Sequence, residues 1–204
     1  MKKTVLLTIV LFVAFGLSGC SYNSLTAEQQ QVRGAWADVE SQLQRRADLI
    51  PNLIKTAQMS AFQEQEVFGE ISAARSRLLN ATAVAPAGEK TPEQREAVIE
   101  AANSFGGTIG RLLSLQENYP QLRSNELFLK AQDELAGTEN RIATKREDYN
   151  QQVVQYNTMR NQFPAVITAS LMGFKEEPTF KADPSAAQAP NVGDPNSMRR
   201  NSNQ

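Results

Sequence analysis

One cysteine is the only residue of this chain whose surroundings point to a covalent reaction. Cys20 ends the run Leu17-Ser18-Gly19-Cys20, small residues behind an apolar stretch from Val5 to Phe15 that follows Lys2 and Lys3. A positive n-region, an apolar h-region and small residues before a thiol are the pattern of a bacterial lipoprotein signal. The expected chemistry is alkylation of the Cys20 thiol by a diacylglycerol donor and cleavage that leaves Cys20 as the new N-terminus. The apolar run is shorter than the roughly 20 residues that span a hydrocarbon core, so a secretory signal fits better than a transmembrane anchor. A free thiol in an oxidising compartment is the alternative, and it would be a reactive liability.

Little other chemistry is available. The chain has no histidine, and its one cysteine is assigned to lipid. That removes Ser-His and Cys-His nucleophiles and most metal-site designs. Glu66 and Glu70, spaced as a carboxylate pair on a helix, lie off the face marked by Phe68 and Ile71 and are expected in solvent. The formal net charge is −1, more negative once Lys2 and Lys3 are removed, which gives no reason to expect a nucleic-acid partner. No catalytic residue, cofactor or metal is expected.

Three of the four tyrosines precede asparagine, at Tyr22, Tyr149 and Tyr156. Tyr149 and Tyr156 are two helical turns apart, so they and the adjacent Asn150 and Asn157 form a ladder on one face. It reads either as a recognition strip for another envelope protein or as heptad core with hydroxyls at the edge of a bundle. Ile142 and Phe163 continue the seam, which favours the core reading. The neighbouring charge run around Glu139 to Glu147 reads as a solvated face, and Glu139 or Asp133 is also a candidate partner for Arg45 or Arg46.

The elements that must position these residues are helices. Val32, Trp36, Val39, Leu43, Ala47, Ile50, Ile54, Ala57 and Ala61 recur in steps of three and four. Thr26 to Gln29 fits a capping box, and Thr91-Pro92-Glu93-Gln94 fits another with proline at the first helical position. Between them, Phe68, Ile71 and Leu78 mark a helix that yields to a loop at Ala83 to Gly88. Val98, Ala102, Phe105, Ile109 and Leu112 mark the next, which Tyr119-Pro120 ends. Gly106, Gly107 and Gly110 within it are expected to admit a neighbouring backbone or, alternatively, to frame a ligand notch. Ser124 or Asn125 can cap a last long helix, in which Phe128, Leu135, Ile142, Tyr149, Tyr156 and Phe163 recur every seven residues. Ala165 to Gly173 suggests a short terminal helix.

Pro51 sits in the middle of the first stripe. An unbroken helix there would outrun its partners, so a reversal near Asp48 is expected, with a mere kink as the alternative. The fold class predicted is all-α: an up-and-down antiparallel four-helix bundle with long helices. The organisation expected is a removable signal over residues 1–19, a lipidated tether over 20–25, the bundle over 26–174 and a disordered polar tail over 175–204.

Several separated motifs resemble one family in order and spacing. They are Tyr22-Asn23, Ala35-Trp36, Gln42 to Leu53, Tyr119-Pro120, Thr138 to Ala143, Tyr149-Asn150, Tyr156-Asn157, Phe163-Pro164 and Gly173-Phe174. The chain is similar in these to the LemA family over about Tyr22 to Phe180. The resemblance implies a four-helical domain presented outside the cytoplasm by an N-terminal membrane segment, with no agreed biochemical activity. The lipobox departs from the transmembrane helix that many relatives keep. The expectation is therefore a non-enzymatic envelope lipoprotein, held at the membrane by lipid on Cys20, with its bundle offered to an unknown envelope protein. Because Ser21 is not aspartate, the outer membrane facing the periplasm is favoured in a double-membraned cell. A small-molecule or lipid-binding bundle with a cavity near Gly106, Gly107 and Gly110 is the alternative.

Overall fold

The structure is a computed structural model that describes residues 2–59, 64–115, 117, 119, 122 and 124–181, with side chains from Ser21 onward except that of Leu115. The side chains of the expected signal, the Cys20 thiol, Ala61, Pro120 and residues 182–204 lie outside what is described. The described residues form five α-helices and no strand: α1 (Lys2–Met59), α2 (Gln65–Ala83), α3 (Pro92–Leu115), α4 (Glu126–Asn161) and α5 (Ala165–Met172). A short 3₁₀ turn, Ala87–Glu89, joins α2 to α3.

The chain does not reverse at Pro51, because α1 runs through it as one helix. Proline has no N–H, so the carbonyl four residues back, Ala47 O, loses its helical donor. Arg75 on α2 replaces it, with Nε donating to Ala47 O at 2.6 Å. The overlong stripe also finds a partner, since the 36 residues of α4 rise about 54 Å at 1.5 Å each. Ser21 to Met59 rise about 58 Å by the same measure, so α4 covers nearly all of that length.

The two helices run antiparallel. Contacts pair Glu28 with Gln155, Trp36 with Tyr149, Asp38 with Lys145 and Arg46 with Glu139, so numbers rise on one helix as they fall on the other. Helices α2 and α3 form a hairpin bridged by Arg111 and Glu70 at 2.7 Å. Lys90 fixes the hairpin's loop: it pairs with Glu40 of α1 at 3.0 Å and donates to Thr82 O at 2.8 Å and to Ala85 O.

Local signals read from sequence meet mixed outcomes. The Thr91 capping box forms, with Thr91 N donating to Gln94 Oε1 and Gln94 N to Thr91 Oγ1. Asn125 caps α4 by accepting from Leu127 N and Phe128 N. Thr26 caps nothing: it lies inside α1 and its hydroxyl donates to Tyr22 O. The stripes on α1, α2, α3 and α4 are buried much as expected, with Leu53 taking the fully buried place expected of Ile54. Phe163 leaves the α4 seam and is 81% exposed. The glycines of α3 mark no close backbone approach. A Cβ on Gly106 would meet only the Arg46 guanidinium at 3.5 Å, and Gly107 and Gly110 face open space.

Candidate functional site

The Tyr-Asn ladder is occupied by the chain's own C-terminal segment. Gly173 ends α5 in the left-handed conformation at φ 73°, which favours glycine, and Phe174 N closes back on Ala169 O at 3.0 Å. The chain then runs extended over residues 174–181 as a strap across α4, where a disordered tail was expected from residue 175.

Each asparagine makes two bonds to one strap residue. Asn157 Nδ2 donates to Glu177 O at 2.9 Å while its Oδ1 accepts from Glu177 N at 3.1 Å. Asn150 Nδ2 donates to Phe180 O at 2.9 Å while its Oδ1 accepts from Phe180 N at 2.8 Å. A primary amide offers a donor and an acceptor side by side, so it imitates a neighbouring β-strand. The tyrosines do half as much, donating to Pro178 O at 2.8 Å from Tyr149 and to Lys175 O at 2.9 Å from Tyr156.

The spacing follows from two rises. Seven helical residues climb about 10.5 Å, and three extended residues span about 10 Å. A heptad repeat of Tyr-Asn on a helix therefore matches a strap read every third residue, as 177 and 180 or 175 and 178.

Side chains seal the strap. Phe180 stacks on Trp36 at 5.9 Å between centroids, meets Tyr149 edge-on at 5.8 Å and carries the Arg146 guanidinium 4.6 Å above its ring. Arg95 of α3 lies over Trp36 and forms an ion pair with Glu177 at 2.5 Å, both side chains buried. Burial pushes the Glu177 carboxyl up and Arg95 pulls it back. Burial also raises both tyrosine hydroxyls, Tyr156 to about 12.

The second buried guanidinium is that of Arg46. It donates to both oxygens of Glu139, the nearer at 2.9 Å, and to Ala102 O at 2.9 Å, with its guanidinium over Phe105. Of the pairings weighed for Arg45 or Arg46, this one forms, and Glu139 remains 43% exposed. Glu66 is exposed and Glu70 is spent on Arg111.

The ladder residues Tyr149, Asn150, Tyr156 and Asn157 thus come together, while Cys20 lies beyond the described side chains. Reading the sequence missed Arg95, Glu177 and Phe180. Arg95 gave a signal, a charge three residues before Val98 on the buried register of α3. Phe180 gave another, the one aromatic residue in a polar tail. Open depressions flank the strap, one of about 700 Å³ bordered by Arg146, Asn150, Val154 and Phe180, the other of about 560 Å³ bordered by Glu96, Glu100, Glu176 and Glu177. Among the described residues no three or more acidic or thiol groups converge as metal ligands.

Known proteins resemble this chain along most of its length. Magnetosome proteins MamQ 2 and MamQ 1 of Paramagnetospirillum magneticum are each 28% identical to the chain over 193 residues, 87% of this chain and 70% of each relative. Magnetosome protein MamQ of Magnetospirillum gryphiswaldense is 26% identical over the same shares. The LemA family model matches residues 35–193, a span that takes in Trp36, the two Tyr-Asn pairs of α4 and the strap. The chain belongs to the LemA family.

Proposed function

We propose that this protein is a lipid-anchored, extracytoplasmic envelope protein whose up-and-down, antiparallel four-helix bundle is a non-catalytic protein-interaction module. The observation that carries the reading is where the buried charge goes. Glu40, Arg46, Lys90, Arg95 and Glu177 are the buried charged residues described, and each is spent on an ion pair inside the chain. Charges so committed hold register between elements. Relatives named for a cellular structure rather than a reaction support the same reading. The small-molecule alternative has less support, because neither depression beside the strap is bordered by Gly106, Gly107 or Gly110.

Two measurements test the proposal. Cys20→Ser should abolish radiolabelled palmitate incorporation and release the protein from membranes, whereas unchanged labelling would refute lipidation. Photocrosslinkers at the exposed positions Glu147 and Gln151 should trap a specific envelope protein in living cells, and recovery of nothing above background would remove the interaction role.

A further inference from the structure

Helix α5 is apolar on nearly every side. Its buried contacts are made by Ala165, Thr168 and Ala169, while Val166, Ile167, Leu171 and Met172 face outward beside Phe163. Leu171 is 77% exposed. Apolar side chains gathered this way mark a surface made for a partner, and a helix hydrophobic all round is not built for water.

Three observations identify the partner. The first is position: Asn161, the end of α4, lies opposite the start of the bundle on α1, and Tyr22 packs against Phe174 at 5.7 Å between centroids. Only Ser21 separates Tyr22 from Cys20, so α5 occupies the end of the bundle where the chain meets its anchor. The second is charge. From Asn161 to Phe174 no residue is charged, and a cation stands at each margin, Arg160, whose Nε donates to Phe174 O, and Lys175, which pairs with Glu93 at 2.8 Å. The third is the half-exposed ring of Tyr22, a residue type that gathers where hydrocarbon meets headgroups.

We infer that the outward face of α5, with Phe163 and Tyr22, inserts into the bilayer surface beside the lipid anchor. It is a monotopic contact, with Arg160 at the level of anionic headgroups. Eight residues alone would bind a membrane weakly, but a tether at Cys20 holds them at high effective concentration over the surface. The acyl chains hold the protein to the membrane, and α5 fixes the tilt of the bundle on it. The inference rests on the anchored reading above.

The test places a tryptophan on this face of the full-length lipidated protein, reconstituted in vesicles of phosphatidylethanolamine and phosphatidylglycerol with or without dibrominated acyl chains. Trp36 is buried and supplies the same background in every variant. Leu171→Trp should lose added emission in brominated vesicles, whereas Leu127→Trp, exposed at the start of α4, should not. Adding Ile167→Glu to Leu171→Trp should relieve the quenching without releasing the protein. Equal emission from Leu171→Trp in both kinds of vesicle, in protein that floats with them, would overturn the inference and leave the anchored reading standing. A lipidated chain that does not float at all would overturn both.

Discussion

At the scale of residues, the Tyr-Asn pairs divide one task by chemistry. The amide of Asn157 both gives and accepts at Glu177, so no side chain with only one of those functions replaces it. Asn157→Ala should cost about 1–3 kcal/mol, because it strands a partly buried backbone N–H and carbonyl. The shift of the urea midpoint measures this. The tyrosine hydroxyls give a pH dependence of definite sign. An unfolded tyrosine titrates near ~10, and burial holds Tyr156 neutral up to about 12. A raised folded value means stability fully present below the unfolded value and lost as pH climbs through the folded one. Melting temperature should therefore fall between about pH 10 and 12, and the fall should be smaller in Tyr156→Phe, which keeps the ring but does not ionise. An unaltered slope in that variant would assign the alkaline loss to other groups. The residue types and spacing of this ladder were legible in sequence. Its occupant was not, because Glu177 and Phe180 sit in a segment whose composition reads as tail.

At the scale of elements, Pro51 shows how a local rule is overruled. Its ring removes one backbone donor, and the length of the stripe favours a reversal near Asp48 from sequence alone, although the stripe stays in register as a kink would leave it. Arg75, on another helix, supplies the missing donor to Ala47 O and lies 3.7 Å from Asp48. Arg75→Ala should cost about 1–3 kcal/mol by leaving that carbonyl unpaired. Pro51→Ala should be more favourable in the Arg75→Ala background than in the parent, since it restores an N–H to α1. Additivity in this double-mutant cycle would show that Arg75 does not serve the proline. Helix α3 offers a contrast. Gly110 is exposed in a helix interior, and a methyl group there would meet nothing within 4 Å, so Gly110→Ala should raise stability by about 1 kcal/mol in thermal denaturation. The helices with local start signals, at Thr91 and Asn125, were placed correctly from sequence. Thr26 misled because the residues before it continue the helix rather than end it.

At the scale of the molecule, the strap ties its two halves together. Glu177 reaches Arg95 on α3 while Asn150 and Asn157 hold the strap to α4, and Phe180 closes over Trp36 of α1. A chain ended after Lys181 keeps the strap and serves as the reference. One ended after Gly173 should lose at least the roughly 3–5 kcal/mol of a broken buried ion pair, and its Trp36 fluorescence should shift to the red as Phe180 is removed. Equal stability of the two would show that the strap adds nothing to the fold.

What sequence by itself determined is what periodicity and short-range chemistry encode: helices in order, their buried stripes, the cap at Thr91 and a cap at Ser124 or Asn125, the heptad that carries Tyr149 and Tyr156, and the family. Tertiary structure alone decided that α1 passes through Pro51, that Arg46 takes Glu139, and that the Tyr-Asn ladder grips residues 175–180. In each case the deciding partner lies far along the chain, Arg75 28 residues from Ala47 and Glu139 93 from Arg46. Hydrophobic period fixes which face of a helix is buried, but a hydrogen bond or ion pair across helices depends on register between elements, and register exists only once they pack.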